Sequence, residues 1–133
     1  METEERPLFE RVDGEAFFAR LVGRFYDGVV QDPVLAPLYP PDDIEGAKDR
    51  LTGFLVQFWG GPDTYSQLRG HPRLRMRHAP FVIAEPEREA WFRHMATAVG
   101  AAVEAGELSE DDEARMLSYF HRAAMHMVNQ PGA

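Results

Sequence analysis

Apolar positions recur along this chain at helical spacing. From Glu15 to Val30, Phe18, Leu21, Val22, Phe25 and Val29 step by threes and fours, which predicts a helix with one buried face. Asp32-Pro33 ends it, because the residue before a proline is driven out of the helical region. Val34 to Tyr39 leaves room for a single turn before Pro40-Pro41. A second helix starts at Asp42 or Asp43, with Glu45 three residues after Asp42 in a capping-box arrangement. Its apolar stripe is Ile44, Ala47, Leu51, Phe54, Leu55 and Phe58, and Gly60-Gly61-Pro62 stops it. A third helix runs from after Pro86 to about Ala105, with Trp91, Met95, Ala98 or Val99, Ala102 and Val103 in step, and Gly106 ends it. Ser109 caps a fourth, whose inner face holds Met116, Tyr119 or Phe120, Ala123 and Met127. No segment alternates with period two, so the fold class is all-α.

One stretch breaks the rhythm. Asp63 to Phe81 is rich in glycine, proline and arginine and is long for a neutral connection, which points to function. It holds Arg69, Arg73, Arg75 and Arg77 together with His71 and His78. Elsewhere the chain is acidic. Its 133 residues carry 22 acidic against 14 basic side chains, a net charge of −8. That balance disfavours nucleic acid and anionic membranes as partners, since both reward positive charge. A length of 133 residues with 44% hydrophobic side chains suits one domain over 1–133, with about 1–14 as a loosely patterned N-terminal extension. No apolar run reaches the roughly 20 residues of a membrane span. Met1 to Arg6 is acidic and polar, unlike a signal peptide, so the expected setting is cytoplasmic.

The absence of cysteine removes disulfides, thiolate metal sites and thiol nucleophiles together. The residues three before the five histidines are Leu68, Arg75, Trp91, Ser118 and Ala123, so no Glu-x-x-His pair exists for a di-iron bundle. No His-x3-His pair exists for helical zinc, and neither a Walker loop nor a Gly-x-Ser-x-Gly elbow occurs. What remains is a set of polar aromatics on faces that read as buried: Tyr26 beside Phe25, Tyr39 at the kink between the first two long helices, and Trp91 early in the third. Each alone fits a hydrogen-bonded core aromatic. His78 alone fits a helix end. A single imidazole can nevertheless hold a metal whose other ligands come from a cofactor, and haem supplies four equatorial nitrogens with one axial position left open. Arg77 and its neighbours stand ready for two propionates, and Leu51, Phe54, Leu55, Leu74, Phe81 and Met95 for the ring. Taken together, these clues favour haem.

At this point the chain resembles a truncated haemoglobin of group II (O-type), of the kind found on the actinobacterial side of that group. The resemblance spans Phe17 to Asn129 and is carried by four segments. These are Arg24-Phe25-Tyr26, Pro33-Val34-Leu35 through Leu38-Tyr39-Pro40, Phe58-Trp59-Gly60-Gly61-Pro62 with Tyr65, and the run Arg69 to Phe81. Trp91 follows His78 by 13 residues, the spacing the group uses. The resemblance implies a two-over-two helical sandwich around haem b, with His78 as proximal iron ligand and Tyr26, Tyr39 and Trp91 as a distal polar cluster. It places Leu51 over the open site, with Ala47 where many globins carry a distal histidine. Arg50, Tyr65 and Arg77, with His71, match positions that address the propionates. The implied ligand is oxygen, with carbon monoxide, nitric oxide or sulfide as further candidates. Turnover of peroxide or nitric oxide would need a reductase, since the chain has no flavin or nicotinamide module. Two alternatives are a sensor, store or scavenger without turnover and a haem-free helical interaction domain, and a homo-oligomer is compatible with any of these.

Overall fold

A computed structural model describes residues 7–61 and 84–127. The described residues form five α-helices: α1 (Leu8–Arg11), α2 (Gly14–Val29), α3 (Ile44–Phe58), α4 (Glu85–Glu104) and α5 (Glu110–Met127). Two single 3-10 turns, Ala36–Leu38 and Pro41–Asp43, link α2 to α3. Among the described residues there is no strand. Helix α2 packs on α3 and α4, and α4 pairs with α5, which gives the two-over-two sandwich. No helix among the described residues is long and apolar enough to cross a membrane.

Local chemistry sets most of the boundaries. Helices α3 and α4 both exit through a glycine at positive φ, Gly60 at +100° and Gly106 at +77°, a backbone state that side chains resist. At each exit the next two amides turn back onto the helix. Gly60 and Gly61 bond the carbonyls of Gln57 and Val56, and Gly106 and Glu107 bond those of Val103 and Ala102. Pro86 sits in the first turn of α4, where no N–H is required, and the Glu87 carboxylate accepts the Ala84 amide at 2.9 Å. Ser109 caps α5 as its position predicts, its Oγ accepting the Asp112 amide at 3.1 Å.

Three expectations need correction. The capping box at Asp42 and Glu45 does not form: Asp42 lies in a 3-10 turn and α3 begins at Ile44, with no side-chain cap at Asp43. Phe58 is not on the buried stripe of α3 but 49% exposed, while its neighbour Val56 is buried. Within the extension expected to be loosely patterned, Leu8–Arg11 is α1, with Leu8 buried in the core. The Phe9 amide donates to the Trp59 carbonyl at 2.9 Å, and Arg11 pairs with the buried Asp112 of α5. The core itself gathers Phe17, Phe18, Leu21 and Phe25 of α2 against Leu55, Met95, Met116 and Phe120.

Candidate functional site

The inner face of α2 continues from Phe25 to Tyr26, which is only 4% exposed. Tyr39 approaches it from the connection to α3, directly after the Ala36–Leu38 turn, whose geometry its own amide closes onto the Ala36 carbonyl at 3.1 Å. Trp91, on the second turn of α4, completes the group and is likewise buried. The rings of Tyr26 and Tyr39 meet edge to face at 5.3 Å, and Phe25 makes edge contacts with Tyr26 at 5.0 Å and Trp91 at 5.5 Å. Three residues from three separate segments therefore converge.

Their polar atoms meet. The Tyr39 hydroxyl lies within reach of the Trp91 indole and of the Tyr26 hydroxyl. An indole N–H can only donate, so toward Trp91 the Tyr39 oxygen offers an acceptor. Alongside burial, the Tyr39 hydroxyl in turn helps hold the Tyr26 phenol above its usual range. Burial pushes Tyr39 up to about 12 and Tyr26 higher still, so both phenols keep their protons at neutral pH.

The surrounding walls are apolar. Phe54, Leu55 and Met95 are buried, and Ala47 and Leu51 are partly buried against the same core. Arg50 is held by Asp43, its Nη2 donating to Oδ2 at 2.6 Å, and its charge acts on Tyr26. The sequence reading missed that partner because the 3-10 turn sets its place. Tyr65, His71, Leu74, Arg77, His78 and Phe81 lie outside the described residues. Among the described residues no three His, Asp or Glu side chains gather as metal ligands. Two phenols and an indole are hydrogen-bond donors rather than metal ligands, set in apolar walls. That donor set fits a flat apolar cofactor bearing its own metal, with a small polar ligand beside the phenols.

A further polar group fixes the approach to Tyr39. Asp32, 8% exposed, accepts His94 Nε2 of α4 at 2.6 Å, Arg93 Nη2 at 3.1 Å and the Val34 amide at 2.8 Å. Its carbonyl accepts the amides of Leu35 and Ala36, which start the turn leading to Tyr39. His94 comes this close because α2 has Gly28 there; a Cβ at that position would lie 2.4 Å from Nδ1. The bond from His94, helped by the Val34 amide, holds the Asp32 carboxyl below the usual range. A depressed carboxylate adds stability above its unfolded value of about 3.9 and loses it as pH falls through the folded one. The melting temperature of the wild type is thus expected to fall on acidification below about pH 4 more steeply than that of Asp32→Asn, which starts lower at neutral pH. Parallel curves in thermal melts across that range would count against this role.

Comparison with known proteins agrees with this geometry. The family model for bacterial-like globins matches residues 7–129. The group 2 truncated haemoglobin YjbI of Bacillus subtilis is 38% identical over 120 residues, covering 90% of this chain and 87% of that protein. A thermostable haemoglobin from the actinobacterium Thermobifida fusca superposes with a TM-score of 0.88 at 48% identity, covering 96% of this chain and all of the other. A truncated oxygen-avid haemoglobin from Bacillus subtilis superposes with a TM-score of 0.81 at 34% identity, over 93% of this chain and 100% of that one. With its two-over-two helices and its buried phenol–indole cluster, the chain belongs to the bacterial-like globin family, as a truncated haemoglobin of group II that binds haem b and oxygen.

Proposed function

We propose that the protein is a slow-releasing oxygen binder whose distal donor is the Tyr39 hydroxyl, oriented by Trp91 and Tyr26. In this reading the chain is a single domain in the cytoplasm, and His78 grips the cofactor from the proximal side. Arg50, Tyr65, His71 and Arg77 address its propionates, and Leu51, Phe54, Leu55, Leu74, Phe81 and Met95 enclose its ring. Bound there, haem would supply the iron that holds oxygen reversibly, and the chain's own groups would stabilise the charge the ligand acquires.

The supporting observation is the meeting of the Trp91 indole and the Tyr26 hydroxyl at Tyr39. With both donating to its oxygen, the Tyr39 O–H is polarised and left to donate to the ligand. Tyr26 and Trp91 are buried, so the group is shielded from solvent. A hydrogen bond to a charged partner contributes about 1.5–3 kcal/mol. Retention near roughly 3 kcal/mol slows release by about two orders of magnitude. The oxygen-avid character of the Bacillus subtilis neighbour supports the same reading. Slow release suits redox chemistry on the ligand better than bulk transport, and turnover requires electrons from a separate reductase.

Trp91→Phe keeps an apolar ring but removes the indole N–H from Tyr39. Loss of one neutral hydrogen bond, about 1 kcal/mol, is expected to speed oxygen release about fivefold. Stopped-flow displacement of oxygen by carbon monoxide measures it. Equal rates in variant and wild type would remove Trp91 from the mechanism.

A further inference from the structure

The end of α3 and the outer face of α5 border a shallow, open groove of about 470 Å³. One wall is aromatic. The exposed Phe58 ring stacks on Tyr119 with centroids 4.2 Å apart and planes 28° apart, and Trp59 meets both rings edge-on at 5.1 and 5.7 Å. Trp59 keeps a buried indole N–H without a hydrogen-bond partner. Small Ala114 and Ser118 leave space along α5, and Arg115 and Arg122, two turns apart, flank them.

The charge on these arginines is unusual for this molecule. In a chain of net charge −8, Arg20, Arg24, Arg50, Arg88 and Arg93 each approach a carboxylate within 3.3 Å. Arg115 comes no nearer than 3.9 Å to Asp112, and Arg122 has no carboxylate at ion-pair distance among the described residues. Arg122 acts instead on the Tyr119 phenol. Two guanidinium groups with no close carboxylate among the described residues thus border an exposed aromatic slab. A guanidinium binds a planar anion through paired N–H groups, and an aromatic slab favours a flat ring offset above it.

We infer that this groove is a binding site for a small planar aromatic anion, its ring lying on Phe58 and Tyr119 and its charge held by Arg115 and Arg122. The site stands apart from the haem reading and survives or fails without it. Naphthalene-2-sulfonate, a flat anion that coordinates iron poorly, is the probe. Calorimetric titration of the haem-loaded protein is expected to show one site with Kd on the order of 10–100 μM and an unchanged Soret band. Arg115→Gln with Arg122→Gln, both surface changes, is expected to weaken binding about tenfold, as is the uncharged naphthalene-2-sulfonamide. Tyr119→Leu is expected to weaken both ligands alike by removing the stack. Affinity unchanged in the double arginine variant, or a Soret shift on binding, would overturn the assignment. So would a dimer that Phe58→Ser dissociates and that takes up no sulfonate, for the groove would then belong to a second copy of the chain.

Discussion

Replacing His78, the proposed proximal ligand, with glycine is expected to lower the hold of the protein on haem by at least about a hundredfold, the scale of one lost interaction of roughly 3 kcal/mol. The expectation rests on chemistry as well as on spacing. His94 is engaged by Asp32, and His121 lies on an exposed stretch of α5 against the Phe92 ring, so neither substitutes readily as a ligand. Glycine leaves a gap the size of the lost ring, and added imidazole should fill it and restore the spectrum. Titration with hemin, with and without imidazole, separates ligand loss from misfolding. A variant whose ferrous and ferric spectra match the wild type without imidazole would show that iron is held elsewhere.

The second large effect is expected at Tyr39. Trp91→Phe takes one bond from the proposed cluster, whereas Tyr39→Phe removes the proposed donor to the ligand and with it the hydroxyl at which Trp91 and Tyr26 meet. Loss of a bond worth about 1.5–3 kcal/mol speeds oxygen release by about 10–150-fold. The acid–alkaline spectral transition of the ferric protein should move as well, because the hydroxyl proposed as distal donor would also hydrogen-bond water or hydroxide held in the place of the ligand. Tyr26→Phe should act more weakly, since its hydroxyl reaches the ligand only through Tyr39. If Tyr26→Phe releases oxygen faster than Tyr39→Phe, the direction of the hydrogen-bond chain is reversed.

Much of this molecule was legible because its signals are local. The stripe of α2, the glycine exits of α3 and α4, and the Ser109 cap each depend on residues within a few positions of one another. The buried cluster was readable only by likeness to a family. Periodicity places Tyr26 and Trp91 on inner faces, but nothing in spacing turns a Trp91 hydrogen onto the Tyr39 oxygen. Pairs distant in sequence left no trace. Asp32 and His94 are 62 residues apart, and their meeting depends on Gly28, which reads as an unremarkable small residue in α2. Phe58 was misread because a helical stripe continues past the point where its neighbour stops covering it. Asp42 was misread because it lies inside a 3-10 turn, which leaves Asp43, the other cap the spacing allows, directly before α3.

The contact between Arg11 and Asp112 joins residues 101 positions apart, and Asp112 is also the residue whose amide the Ser109 cap receives. Helix α1 is pinned twice, by the Phe9 amide on the Trp59 carbonyl and by Arg11 on Asp112. As the chain leaves the ribosome the Trp59 pin can close first, whereas the Arg11 charge meets its buried carboxylate only once α5 has emerged. The segment is thus docked in two stages, and a nascent chain halted between Trp59 and Asp112 carries it half-fastened.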